Sequence, residues 1–307
     1  MSEPVESFGP VSMKKILFAS SFTETSAAAL PYGAALARRF NAEMIVVHVI
    51  SPEEYEHPDP AQADARLRQM KADAAERIGR LLAAAHFAGV GYRVEIDHGD
   101  VADAIAARVR ELKIDLIIAG SHGRHGVQKL LAPSTDEAIS REALCPVLLV
   151  GPHVTLAPEE EMNLRSILLA TDFEPHSKTV MQSAYAFAAA YGAQLHILHV
   201  ADDVWREPLS TRLTPEAFCR MKLLEHGLPE HSSDIEPVFL VEFGSPESLI
   251  LETAQRIGAE LIVAGVPATA HANLLSHLPG PLAYDIASHA ACPVLAVLNA
   301  AGPNHNP

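Results

Sequence analysis

Cysteine, basic charge and long apolar runs are all scarce in this sequence, and each scarcity excludes a class of protein. The three cysteines, Cys145, Cys219 and Cys292, are too few and too scattered for a disulfide framework or a zinc knuckle. Acidic residues outnumber Lys and Arg by 38 to 23, so the net charge of -15 repels nucleic acid and anionic lipid. No segment reaches about 18 uninterrupted apolar residues, and residues 1–10 carry acids without an apolar signal segment. We therefore expect a cytoplasmic protein that binds neither membranes nor nucleic acid.

An internal repeat is the strongest feature that is present. At an offset of 151 residues, Ile16-Leu17 matches Ile167-Leu168, Ala42 matches Ala193, and His48-Val49 matches His199-Val200. At an offset of 145, Gly99 matches Gly244, and residues 116–120 match residues 261–265. Residues 145–148 then match residues 292–295 at an offset of 147. An ordered series of this kind indicates a duplication, and we call the two halves the first copy and the second copy.

Each copy alternates strand-length apolar runs with segments of helical periodicity. The runs at 15–19, 44–49, 116–119 and 147–150 are apolar on both faces, as strands covered by helices on both sides must be. The sequence therefore predicts an α/β protein with two tandem doubly wound parallel sheets. We predict the first domain at 1–151, a linker rich in proline and acids at 152–164, the second domain at 165–300 and a tail at 301–307.

A loop after the fourth predicted strand of the first copy combines glycines with basic side chains. It reads Gly-Ser-His-Gly-Arg-His-Gly from Gly120 to Gly126, and it leads to a helix opened by Ser134 and Thr135. In a doubly wound sheet ligands bind beyond the carboxyl ends of the strands, and amides at a helix N-terminus favour phosphate. Arg124 adds basic charge to an otherwise acidic chain. Two interpretations stay open here: a phosphate-binding loop, or a turn that needs glycine for its geometry alone.

The motifs together resemble those of the universal stress protein family. The resemblance rests on the 120–126 loop, Cys-Pro-Val-Leu at 145–148, Ile-Leu-Leu-Ala-Thr-Asp-Phe at 167–173, both His-Val pairs and the Gly99-Asp100 turn. It extends from about Met13 to Leu298, as in the tandem members of the family. It implies five parallel strands in the order 3-2-1-4-5 with helices on both faces. ATP-binding members carry G-x-x-G, a nine-residue spacer, Gly and Ser or Thr, together with an Asp at the end of strand one; other members lack this pattern and do not hold nucleotide firmly.

Neither copy matches the whole ATP-binding pattern. In the first copy Pro133 replaces the third glycine and Ser21 replaces the aspartate. In the second copy Ala268 replaces the second glycine and Pro281 replaces Ser or Thr. The 266–279 loop of the second copy also has no Lys or Arg. The first copy thus keeps the phosphate-facing half of a site and the second keeps the carboxylate. The residues that the resemblance places at an adenine nucleotide are Ser20, Ser21, Val49, Gly120, His122, Gly123, Arg124, Ser134 and Thr135 in the first copy, and Thr171, Asp172, Val200, Gly265 and Gly280 in the second.

The resemblance implies a non-catalytic stress-response protein with degenerate adenine-nucleotide sites, in which ATP binding is favoured in the first copy. One alternative is an interaction scaffold that works without nucleotide, and a second is a slow ATPase. We predict no catalytic residue and no metal site. By analogy with the family, the copies are expected to pair internally through residues 147–150 and 294–297, and a homodimer is a further expectation.

Overall fold

The chain is described from a computed structural model that covers residues 12–84, 87, 89–121, 145–154, 161–174, 177–201, 214–226, 235–266 and 282–298. These residues divide into two compact units, with the division between Met162 and Asn163. The division falls inside the segment predicted as the linker, of which residues 155–160 lie outside the described residues, as does the predicted tail. The exact domain boundaries stay a prediction. None of the helices in the covered ranges is long and apolar enough to cross a membrane.

The first copy builds one parallel sheet. Its elements are β1 (Lys15–Ala19), α1 (Glu24–Phe40), β2 (Glu43–Ile50), α2 (Pro52–Tyr55), α3 (Pro60–Ala84), β3 (Tyr92–His98), α4 (Val101–Leu112), β4 (Leu116–Gly120) and β5 (Val147–Val150). The strands lie in the order β3-β2-β1-β4-β5, and every neighbouring pair is parallel. This is the predicted order 3-2-1-4-5.

The second copy repeats that architecture. Its elements are β6 (Ser166–Ala170), α5 (Lys178–Tyr191), β7 (Gln194–Ala201), α6 (Pro215–Glu225), β8 (Val238–Phe243), α7 (Pro246–Ile257), β9 (Leu261–Val266), α8 (Leu282–His289) and β10 (Val294–Leu298). The order β8-β7-β6-β9-β10 is again 3-2-1-4-5, with all neighbours parallel. The predicted fold class is therefore confirmed.

The central strands form the core of each copy because helices cover both faces of the sheet. Ile16, Leu17 and Phe18 are consecutive in β1 and all fully buried, although alternate side chains of a strand point to opposite faces. Ile167 and Leu168 repeat the arrangement in β6. Each such side chain contributes about 1.5–3 kcal/mol on burial, which explains the nearly continuous aliphatic runs of these strands.

The helix that follows strand three begins at a sequence signal in both copies. The carboxylate of Asp100 accepts hydrogen bonds from the amides of Ala102 and Asp103 and so caps α4. In the second copy Ser245 is the N-cap residue of α7, and Pro246 occupies the first turn, where no amide donor is needed. Both residue types are helix-start signals that can be read from the sequence.

The duplication extends to individual hydrogen bonds at the amino ends of the strands. The Asp115 carboxylate, just before β4, accepts from the amides of residues 14 and 15 at 2.7 and 2.9 Å. Glu260, just before β9, accepts in the same way from residues 165 and 166 at 2.5 and 3.4 Å. These bonds join segments far apart in sequence and anchor the entry of strand one against strand four in each copy.

Candidate functional site

The carboxyl ends of three adjacent strands meet at one edge of each sheet. In the first copy Ala19 of β1 lies beside Val47 of β2 and Ala119 of β4. In the second copy Ala170 of β6 lies beside Leu198 of β7 and Ala264 of β9. We call this edge the carboxyl edge, and it is where ligands bind in doubly wound sheets.

Eight of the fourteen candidate residues lie in the described part of the chain, all at or directly after these strand ends. They are Ser20, Ser21, Val49 and Gly120 in the first copy and Thr171, Asp172, Val200 and Gly265 in the second. The topology thus brings together within each copy residues that are up to about a hundred positions apart. The other six, His122, Gly123, Arg124, Ser134, Thr135 and Gly280, lie outside the described residues.

Ser20 and Thr171 continue strand one in the two copies, and their hydroxyl groups differ. The Ser20 amide donates to the Val47 carbonyl at 2.8 Å, and the Thr171 amide donates to the Leu198 carbonyl at 3.0 Å. The Thr171 hydroxyl accepts from the Phe173 amide at 3.1 Å. The Ser20 hydroxyl is buried, with the residue 6% exposed, and has no hydrogen-bond partner among the described residues. A buried polar atom of this kind needs an explanation, and a bound polar group is one.

A histidine from strand two holds the same carbonyl group in both copies. Nδ1 of His48 lies 2.7 Å from the Ser20 carbonyl oxygen, and Nδ1 of His199 lies 3.0 Å from that of Thr171. A carbonyl oxygen can only accept, so Nδ1 carries the proton in each ring. Burial lowers the pKa of His48, which favours the neutral ring with an unprotonated Nε2. Sequence reasoning did not place these histidines in the site, although their repetition at offset 151 was the available signal.

In each copy the residue two positions after Ser20 or Thr171 is a phenylalanine whose backbone is in the left-handed region. Phe22 has a φ of 59° and Phe173 a φ of 57°, a conformation that side chains with a Cβ rarely adopt. The Phe22 ring lies 4.2 Å from the His48 ring, and the Phe173 ring lies 5.3 Å from that of His199, measured between centroids. The histidine therefore contacts both the backbone and the side chain of this loop.

Gly120 has a structural reason to be glycine. A Cβ at this position would lie 2.3 Å from the Ser26 amide nitrogen and 2.4 Å from the Thr25 carbonyl carbon, far inside contact distance. The sequence left two interpretations open for this glycine, the approach of a ligand or local geometry alone. In the structure the first turn of α1 occupies that space, so packing alone accounts for Gly120.

The residue at the position of the family's aspartate, Ser21 or Asp172, is exposed in both copies, but its hydrogen bonds differ between them. The Ser21 hydroxyl lies 2.8 Å from the Thr23 hydroxyl, and the Ser21 amide donates to the Ser26 hydroxyl at 3.2 Å. Oδ1 of Asp172 accepts from the Ser177 hydroxyl at 2.5 Å and from the Glu174 amide at 3.0 Å. Asp172 therefore stabilises the turn that leads into α5, a local role that requires no ligand.

The charge beside this loop also differs between the copies. The Arg77 guanidinium of α3 lies 4.0 Å from the centroid of the Phe22 ring, so a cation stands next to the loop in the first copy. Around Phe173 the second copy instead places the rings of His199 and Phe218, with Nε2 of His226 2.8 Å from the Phe173 carbonyl oxygen. Among the described residues, this loop is thus flanked by an arginine in the first copy and by aromatic and histidine rings in the second.

The cysteine thiols of this chain are protonated, and potential metal ligands are dispersed within the described ranges. Burial raises the pKa of Cys145, Cys219 and Cys292 to about 12 in each case, so these thiols stay protonated at neutral pH. Within the same ranges, no three His, Cys, Asp or Glu side chains cluster as metal ligands.

Comparison with known proteins agrees with this architecture. The model of the universal stress protein family matches residues 13–151 and 163–297. A universal stress protein from Methanocaldococcus jannaschii is 27% identical over 139 residues, which cover 45% of this chain and 81% of the relative. Universal stress protein A homolog 1 from Coxiella burnetii is 34% identical over 141 residues, covering 45% of this chain and 95% of the relative.

A solved structure extends the likeness to both copies at once. A universal stress protein from Archaeoglobus fulgidus superposes with a TM-score of 0.61 at 19% identity, covering 92% of this chain and 98% of the other. With a family match in each half and a fold shared along nearly its whole length, the chain belongs to the universal stress protein family as a tandem member.

Proposed function

We propose that this chain is a non-catalytic stress-response protein that binds adenine nucleotide at degenerate sites, with ATP favoured in the first copy. The observation that carries the proposal is the position of the candidate residues: all eight that the structure describes lie at the carboxyl edge, on three adjacent strands of each sheet. This edge is the ligand side of the fold. The cytoplasmic location expected from the sequence belongs to the same proposal.

Three features support the first copy as the preferred nucleotide site. The buried Ser20 hydroxyl lacks a described partner, and Arg77 stands beside the adjoining loop. The sequence adds Arg124 in the loop after β4, whereas the matching 266–279 loop has no Lys or Arg. In a chain with a net charge of -15, a polyphosphate needs such local positive charge.

The second candidate function is a scaffold that acts without nucleotide, and two observations favour it. Gly120 is explained by its contact with α1, and Asp172 is engaged by Ser177 and Glu174. Both residues thus have structural roles that would be kept after nucleotide binding was lost.

Calorimetric titration with ATP separates the two functions when Ser21 is replaced by the family's aspartate. In Ser21→Asp the new carboxylate stands at an exposed position and can accept hydrogen bonds from a ribose or base, so we expect affinity to rise about tenfold. Asp172→Asn, which keeps an acceptor in the second copy, is the matched control and should change affinity little. Gly123→Asp should weaken binding by repelling phosphate. Absence of binding to both the wild type and Ser21→Asp at millimolar ATP would favour the scaffold.

We also propose that the copies pair internally through residues 147–150 and 294–297. Strand five lies at an edge in the family's strand order, and an unpaired edge presents backbone groups that another strand can satisfy. Co-expressed halves should associate, and mass measurement by light scattering on the whole chain would show whether a homodimer forms. Halves that stay apart at every concentration would disprove the pairing.

A further inference from the structure

The same contact between a histidine, a carbonyl group and a phenylalanine occurs after strand one of both copies. We call it the histidine clamp: His48 with Ser20 and Phe22 in the first copy, and His199 with Thr171 and Phe173 in the second. The Nδ1–carbonyl distances are 2.7 and 3.0 Å. All three positions are related by the offset of 151, so the clamp is part of the duplicated unit.

The backbone of the clamp is conformationally costly. A residue with a Cβ held at positive φ is strained, and glycine would avoid the strain. Both copies nevertheless have phenylalanine there, at φ values of 59° and 57°. The phenyl ring packs against the clamp histidine, and Phe173 is 4% exposed. The phenylalanine side chain therefore links the loop to strand two through its contact with the histidine, which a glycine could not provide.

The clamp surrounds the residue at the position of the family's aspartate. Ser21 and Asp172 are exposed, whereas the residues before them, Ser20 and Thr171, are 6% and 9% exposed. The residue before is anchored through its carbonyl group and the residue after through its ring. Strand two thus holds the backbone on both sides of the middle residue, whose own side chain bonds to Thr23 in the first copy and to Ser177 in the second.

The opposite side of the loop is confined by strand four in the first copy. The first turn of α1 lies so close to Gly120 that no Cβ fits between them. The Thr23 hydroxyl, which accepts from the Ser26 amide at 3.3 Å, caps the same turn. With α1 confined by β4, the histidine from β2 closes the remaining side of the loop.

We propose that His48 and His199 are positioning residues, each of which holds the loop after strand one so that the side chain of Ser21 or Asp172 projects from the carboxyl edge. The use of that side chain by a nucleotide rests on the proposed function. The positioning itself does not, because it is a property of the loop without ligand.

Nitrogen NMR of the histidine rings and amide hydrogen exchange on the full chain test the proposal. The wild-type ring of His48 should show protonated Nδ1 and unprotonated Nε2 at pH 8, and the ring of His199 should carry a proton on Nδ1. His48→Leu should speed exchange of the Ser21 and Ser26 amides about tenfold, the effect of losing one hydrogen bond. His48→Asn should restore slow exchange, because the asparagine amide nitrogen is as far along the side chain as Nδ1. The Glu174 amide of the second copy is the internal control and should not change.

Several results would overturn the proposal. A wild-type ring protonated at Nε2 alone cannot donate to the carbonyl oxygen, and this result decides the matter even if His48→Leu fails to fold. Equal exchange in the leucine and asparagine variants would show that only ring volume matters. A separate ATP titration of the wild type tests the proposed function. If the wild type does not bind ATP but shows the expected tautomer and exchange rates, nucleotide binding is disproved and the positioning role of the clamp stands.

Discussion

The two copies agree in the bonds that build the sheet and differ in the side chains at the carboxyl edge. Asp115 and Glu260 anchor the strand entries alike, and His48 and His199 hold the same carbonyl position. At the carboxyl edge, by contrast, a serine in one copy stands where the other has Asp172. The comparison teaches that the contacts that anchor the backbone are kept in both copies, whereas side chains at the carboxyl edge differ between copies that share one fold.

The largest expected effect concerns the approach of α1 to β4. Gly120→Ala would place a Cβ 2.3 Å from the Ser26 amide nitrogen, and we expect a loss of about 3 kcal/mol in the free energy of unfolding. Urea denaturation measures the loss. Gly79→Ala is the control: it lies in α3 with open space around the new methyl group and should stabilise by about 0.5–1 kcal/mol.

The equivalent Gly265→Ala substitution shows whether this approach is shared. Equal losses in the two variants would make the close contact a property of the duplicated unit, and a smaller loss for Gly265→Ala would make it particular to the first copy. If Gly120→Ala is as stable as the wild type, α1 does not lie this close to β4.

A second prediction concerns the carboxylates before strand four. Asp115→Ala and Glu260→Ala each remove a charged acceptor from two backbone amides, so each should lower the free energy of unfolding by about 2 kcal/mol. The measurement is again denaturation in urea. Glu111→Ala is the control, because this carboxylate is exposed and pairs with Arg108 in the described part of the chain, so its loss should cost less than about 1 kcal/mol. If only one of the two alanine substitutions lowered the free energy of unfolding, Asp115 and Glu260 would not be equivalent.

The smallest effect is expected from a position where the cores differ. His196 occupies the place of the fully buried Ile45, and its Nδ1 is buried without a partner among the described residues. His196→Ile should raise the free energy of unfolding at pH 7.5 by about 1 kcal/mol, because the unsatisfied nitrogen is removed. The reverse exchange, Ile45→His, should lower it.

His196→Ile should also make the chain less sensitive to acid. Burial lowers the pKa of His196 below its ordinary value of 6.5, so the unfolded chain binds the proton more readily. Stability therefore falls as the pH drops below 6.5, and the isoleucine variant should lose less between pH 7.5 and 5.5 than the wild type. Burial also lowers the pKa of His48, so the isoleucine variant retains part of the acid sensitivity through His48. An unchanged pH dependence would show that His196 is already solvated.

Much of the fold followed from local patterns. Apolar runs on both faces marked the strands, and Asp100 and Pro246 marked helix starts, because these signals depend on residues close together in the chain. The site was predicted less completely. The strand order predicts that Ser21 and Asp172 lie at the carboxyl edge. The role of the clamp histidines was not predicted, because nothing close to a histidine in an apolar strand indicates which group it contacts.

The sequence by itself determined the duplication, the α/β class and, through family resemblance, the strand order. Only the tertiary structure decided what surrounds each residue: that α1 fills the space beside Gly120, that Asp172 bonds to its own turn, and that His48 reaches the Ser20 carbonyl. The physical reason is distance along the chain. Periodicity and capping arise between neighbours, whereas these contacts join separate elements or depend on side-chain direction, and only the packed sheet specifies them.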